Sequence, residues 1–123
     1  MTKVLTNKEF SKKLERRTLK FGIDIIRLST TLPSTSEGRV IKNQITKSGT
    51  SIGANYREAN RARSKADFKN KIKICESAAS ETQYWLEIIY ELNFVDLEDI
   101  KSINNECSEL LAIFCTIGKG SQL

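Results

Sequence analysis

The sequence predicts an all-α protein, an antiparallel up-down-up-down four-helix bundle that forms a single domain over residues 1–123. The chain has only one proline and six glycines, too few for a fold rich in turns. Apolar residues recur every three or four positions in four segments, which is the spacing of one helix face. Short loops separate these segments, so consecutive helices should be antiparallel neighbours. The predicted helices cover about residues 7–31, 37–61, 65–93 and 97–117.

The first helix carries two apolar faces. A core-facing stripe is formed by Phe10, Leu14, Phe21, Ile25 and Leu28. At about 100° per residue, a second set lies nearly opposite and comprises Leu19, Ile23 and Ile26. One bundle core can cover only one of these faces, so the second set is predicted to lie in a subunit interface.

The second helix contains Gly49 and Gly53, four residues apart. A glycine inside a helix costs about 1 kcal/mol relative to alanine. The pair therefore predicts that another helix packs unusually close along this strip. Pro33 ends the first helix, and either Ser34 or Ser36 is the expected cap of the second.

The third helix should begin at Ser64, with Asp67 at the capping-box position. Its core row contains Phe68, Ile72, Cys75, Ala79, Thr82, Leu86 and Ile89. A second row lies roughly a quarter-turn or more round the helix and comprises Ile74, Ala78, Trp85, Ile88 and Leu92. Its large members, Ile74, Trp85, Ile88 and Leu92, are predicted to contact another subunit together with Tyr84. Asn93 is expected to adopt the left-handed conformation, and Asp96 to cap the fourth helix.

Charge is distributed unevenly along the chain. Residues 1–66 hold 15 Lys/Arg and 5 Asp/Glu, a net charge of +10, whereas residues 67–123 hold 5 and 10, a net charge of −5. This asymmetry is typical of a nucleic-acid-binding face, and equally of an oligomer in which basic and acidic halves meet. The basic set includes Lys12 and Arg17, and its candidate nucleic-acid-binding members are Lys13, Arg16, Lys20, Arg27, Arg57, Arg61, Arg63 and Lys65.

Catalytic and metal chemistry find no support in the sequence. The chain has no histidine, and its three cysteines lack metal-ligand spacing and are expected to be buried, so we predict no enzyme, metal or cofactor. The spacing of Gly49 and Gly53 is not that of a phosphate loop, because no Lys-Ser/Thr follows. No apolar run approaches the roughly 18 residues of a membrane span, and residues 1–8 lack the apolar core of a signal peptide. We therefore expect a cytoplasmic protein with no membrane partner.

Three segments carry a resemblance to a known family. They are Ser-Gly-Thr-Ser-Ile-Gly-Ala-Asn-Tyr-Arg-Glu-Ala at residues 48–59, Asp-Phe at 67–68, and Glu-Thr-Gln-Tyr-Trp-Leu-Glu at 81–87. The chain resembles the four-helix-bundle proteins encoded in intervening sequences of bacterial 23S ribosomal RNA genes. The resemblance implies a cytoplasmic bacterial protein that assembles into ring-shaped homopentamers and has no established activity. The accessory variability protein of diversity-generating retroelements is similar in fold, and it binds nucleic acid and a reverse transcriptase.

Two functional hypotheses follow. The first is a homo-oligomeric accessory that binds RNA or DNA through its basic half. The alternative is a structural or adaptor oligomer that recruits a protein partner, such as a reverse transcriptase, without binding nucleic acid. Tyr84 is open to either a base-stacking role or a place in a subunit interface.

Overall fold

The computed structural model describes residues 7–120. Within this range the chain forms four α-helices and no strand. The helices are α1 (Asn7–Ser29), α2 (Ser36–Ala59), α3 (Lys65–Glu91) and α4 (Leu97–Lys119). The predicted all-α four-helix bundle is confirmed, and each helix end lies within two residues of its predicted position.

Contacts between helices show the antiparallel order. The Cys75 thiol donates to the carbonyl of Ile52 at 3.5 Å, and the Thr82 hydroxyl lies 2.9 Å from that of Ser48. Residue numbers therefore rise along α3 as they fall along α2. Each helix packs on its neighbours in sequence, and α1 and α4 form the most open seam of the bundle.

The core is mainly apolar and includes a few buried hydroxyl groups, among them those of Ser48 and Thr82. Its largest fully buried side chains include Phe21, Tyr56 and Phe114, and the rings of the last two meet edge to face at 5.6 Å. Phe10 was predicted to belong to this core, but 39% of it is exposed. It lies in the first turn of α1, at the end of the bundle, where fewer side chains surround a residue than at the centre.

The helix caps follow the sequence in part. The Ser64 hydroxyl accepts from the Asp67 amide at 3.0 Å, as predicted for α3. The cap of α2 is Thr35, neither Ser34 nor Ser36, because the helix begins one residue earlier than expected. Asp96 occupies the cap position of α4 without a side-chain hydrogen bond.

Candidate nucleic-acid and subunit interfaces

The glycines of α2 lie against α1. A Cβ atom placed on Gly49 would come within 2.7 Å of Ile25 Cγ2, and one on Gly53 within 3.1 Å of Thr18 Oγ1 and 3.3 Å of the Thr18 backbone carbon. Only a residue without a side chain lets the two helices approach this closely. The two helices therefore lie unusually close together along the α1–α2 seam, as the glycine spacing predicts.

The outer side of α1 exposes an apolar surface, here called the α1 apolar face: Leu19, Ile23 and Ile26. Their exposed fractions are 50%, 40% and 44%. They point away from the bundle core, which α1 meets with Leu14, Phe21 and other residues. Nothing in the described part of the chain covers this face, which monomeric proteins rarely leave open.

The second predicted interface, on α3, is only partly exposed. Ile74, Tyr84 and Leu92 are exposed, whereas Trp85 and Ile88 are half-buried and pack against the core. The prediction placed these last two residues outside the core. The difference arises because α3 is an inner helix with neighbours on two sides, so its covered face is wide.

Tyr84 lies in acidic surroundings. Its ring packs edge to face on Trp85 with the centroids 5.1 Å apart, and the Trp85 indole N–H donates to Glu81 at 3.2 Å. A shallow depression on α3 brings Tyr84 together with Glu76 and Glu81. Because these carboxylates would repel phosphates, the surroundings favour an interface role for Tyr84 over stacking on a base.

All eight candidate cations are exposed, but they do not form one patch. The start of α1 meets the α2–α3 loop, where the Asn60 amide donates to Glu15 at 2.8 Å and Arg57 Nε lies 4.0 Å from the same carboxylate. Six of the cations therefore share one end of the bundle, here called the basic end: Lys13, Arg16, Arg57, Arg61, Arg63 and Lys65. Arg27 lies about 16 Å from Arg16 along α1, near the opposite end.

Some cations are already paired. Lys20 Nζ contacts Asp24 at 2.7 Å, four residues on along α1. Arg17, a member of the basic set by sequence, binds Glu106 and Glu109 of α4 and is not available to a phosphate. The hydrogen bonds that Arg17 donates to Glu106 raise the pKa of Arg17 above its ordinary value. Helical spacing alone does not reveal the pairing of Arg17, because Glu106 and Glu109 lie on another helix.

Among the side chains of the basic end, Arg57 alone lies within 4.0 Å of a carboxylate of residues 7–120. The other five side chains form no ion pair within residues 7–120: Lys13, Arg16, Arg61, Arg63 and Lys65. Arg63 contributes only its backbone amide, which donates to Asp67 at 3.4 Å. The basic end is thus a surface of exposed cations that a polyanion could neutralise.

The thiols are poor nucleophiles. Burial raises the pKa of Cys75 and of Cys107 to about 12. Cys115 is half-buried. Its pKa is also raised, mainly by burial and secondly by the negative charge of the nearby Glu76. Across residues 7–120, no grouping of cysteine and acidic side chains suits a metal ion, and no helix is long and apolar enough to cross a membrane.

Comparisons with known proteins agree with the sequence resemblance. Residues 7–115 match the family model described as 23S rRNA-intervening sequence protein. A solved structure from Bacteroides thetaiotaomicron, described as a protein with unknown function from the S23 ribosomal protein family, is 40% identical, with a TM-score of 0.79. The match covers 85% of this chain and 97% of that one. No curated protein matches the chain. The protein therefore belongs to the 23S rRNA-intervening sequence protein family.

Proposed function

We propose that this protein is a non-enzymatic homo-oligomer, a pentamer, that binds RNA or DNA without sequence preference through the basic end. The observation that carries the proposal is the gathering of six exposed cations, five of them unpaired within the described residues, where α1 begins and α2 meets α3. Phosphate contacts from exposed Lys and Arg side chains carry no sequence information, so affinity should be independent of sequence.

Self-association is supported by two surfaces on different helices. The α1 apolar face is one, and the exposed part of the α3 row, Ile74, Tyr84 and Leu92, is the other. Unlike surfaces that bury each other form heterologous contacts, which close into rings and not into two-fold dimers. The ring size of five comes from the family resemblance. A ring would also place several basic ends on one particle, which raises the avidity for a long polyanion.

The test is an equilibrium binding titration against duplex RNA and duplex DNA over a range of salt concentrations. Replacing Arg57, Arg61, Arg63 and Lys65 together by glutamine should weaken binding to all sequences alike. On duplex DNA, the slope of log K against log salt should become shallower by about 0.9 for each phosphate that the variant no longer neutralises. The oligomer should persist, because these four side chains lie away from both apolar surfaces.

A matched control changes four exposed cations elsewhere to glutamine and removes the same charge: Arg39, Lys42, Lys47 and Lys101. Its affinity should stay much closer to that of the wild type. A control variant that loses as much affinity as the test variant would show general charge attraction and remove the basic end from the proposal. A wild type that binds neither duplex at low salt would overturn nucleic-acid binding altogether.

The alternative is an adaptor oligomer that recruits a protein, such as a reverse transcriptase, the partner of the accessory variability protein that is similar in fold. The acidic character of the α3–α4 half, with a net charge of −5 over residues 67–123, favours it. In that case the oligomer forms, but no nucleic acid binds at low salt.

A further inference from the structure

A groove opens between α3 and α4 near the loop that joins them. Its volume is about 450 Å³, within the roughly 300–1,000 Å³ of ligand-binding clefts. Leu86 and Ile100, both buried, form its apolar base, and Tyr90 lines it with a side chain that is 47% exposed. Glu87, Glu91 and Lys101 contribute the charged part of the lining.

The charge around the groove is strongly negative. Residues 87–101 contain five acidic side chains and one basic one, a net charge of −4. Neither Glu87 nor Glu91 has an ion-pair partner within 4.0 Å in the described part of the chain. The last turn of α3 also has no basic residue, so the negative end of its helix dipole adds to these carboxylates.

These features select one side-chain chemistry. A guanidinium group is planar, stacks on an aromatic ring and binds a carboxylate through two parallel hydrogen bonds. An ammonium group does neither as well, because it is a compact and strongly hydrated point charge. We infer that the α3–α4 groove binds an arginine-bearing segment of a protein partner, with the guanidinium held between the Tyr90 ring and the carboxylates of Glu87 and Glu91.

The Tyr90 side of the groove lies apart from the proposed subunit interface on α3. Tyr90 is two residues from both Ile88 and Leu92, which places it about 160° round the helix from each of them. Glu87 and Glu91 follow Tyr84 by three and seven residues and lie about 60° and 20° round the helix from it, so the carboxylate side of the groove borders the Tyr84 part of that interface. An oligomer built through Ile74 and Leu92 leaves the Tyr90 side of the groove open. The inference does not depend on nucleic-acid binding, and the oligomeric state of the groove variant separates it from self-association.

Fluorescence anisotropy with the full-length protein tests the inference, using a labelled peptide of alternating arginine and glycine. The double variant Glu87→Gln/Glu91→Gln should weaken binding by about tenfold or more, since each carboxylate loses a charge-assisted hydrogen bond. Tyr90→Ala should weaken it about threefold. A lysine–glycine peptide should bind the wild type about tenfold more weakly than the arginine peptide.

The matched control is Glu98→Gln/Asp99→Asn, which removes the same charge from the first turn of α4 without touching the groove lining. It should change the affinity by less than about twofold. Equal weakening by both double variants, or equal binding of the two peptides, would overturn the inference in favour of general charge attraction. Loss of the oligomer in Glu87→Gln/Glu91→Gln, measured by light scattering, would assign the groove to a second copy and overturn it too.

Discussion

Arg17 of α1 and Glu106 of α4 form a two-point ion pair across the bundle. Arg17 Nε donates to one carboxylate oxygen at 2.7 Å and Nη2 to the other at 2.8 Å. The same Nη2 reaches Glu109 at 2.6 Å. Because α1 and α4 have few other contacts, this pair ties the first helix to the last and helps to close the bundle.

Arg17→Met should lower the free energy of unfolding by about 1 kcal/mol, because the pair is partly exposed and solvent screens it. Arg16→Met is the matched control, since Arg16 is exposed and forms no ion pair with a described residue. Denaturant titration of both variants gives the comparison, and equal free energies of unfolding would contradict the role of Arg17 in tying α1 to α4.

The ion pair raises the pKa of Arg17, so the stabilisation that it contributes is complete below the ordinary arginine pKa and is lost only as the pH rises above that value. The difference between wild type and Arg17→Met should therefore be the same at neutral and mildly alkaline pH.

Glycines in the α1–α2 seam should differ sharply in their tolerance of alanine. A Cβ on Gly49 would meet Ile25 at 2.7 Å, so Gly49→Ala should destabilise by about 1 to 3 kcal/mol through overpacking. Gly53→Leu should have a similar effect against Thr18. At Gly22 a Cβ would have its nearest contact at 3.7 Å, so Gly22→Ala should be neutral or stabilising by up to about 1 kcal/mol. Thermal melts decide, and an unchanged midpoint for Gly49→Ala would contradict the close packing.

The three thiols should react in two classes with a disulfide reagent. Cys115 should react in the folded protein, whereas Cys75 and Cys107 should react only as the protein unfolds. Replacing Cys115 by serine should abolish the early phase, and simultaneous reaction of all three thiols in the folded state would contradict the burial of Cys75 and Cys107.

Burial of Cys75 and Cys107 should also make stability depend on pH. Their pKa of about 12 in the folded protein lies above the unfolded value of roughly 8.5. The unfolded thiols therefore ionise first, and stability should fall as the pH rises from about 8.5 towards 12.

The α1 apolar face should hold the oligomer together. Light scattering of the wild type should give about five times the chain mass of 13.9 kDa. Ile23→Glu should shift this mass towards the monomer with its helix content intact, because a charge would enter an apolar contact. Val40→Glu is the control, since Val40 is 56% exposed on another helix and outside the face. A monodisperse wild-type monomer at micromolar concentration would refute the interface.

Much of the fold could be predicted because the relevant signals are local. The 3.6-residue period identifies the four helices, and the Ser64–Asp67 cap depends on residues three apart. Asn93, predicted to be left-handed, has a φ of 56°. The residues whose position relative to the core differs from the prediction depend on tertiary contacts instead. Phe10 has the right spacing for the core but lies at a helix end, where it is only partly covered, and Trp85 and Ile88 lie outside the heptad line yet contact the core.

For the candidate site too, some features follow from the sequence and others only from the tertiary structure. By itself, the sequence determined the helices, the excess of cations in the first half, the second apolar set on α1 and the family, because each depends on residue type and local spacing. Only the tertiary structure decided which cations meet at one end of the bundle, which are neutralised, and that Tyr90 and two carboxylates share a groove. Arg17 and Glu106 are 89 residues apart in sequence, and Glu15 and Asn60 are 45 apart. Contacts over such separations depend on how helices are placed against one another, and periodicity within a single helix carries no information about that placement.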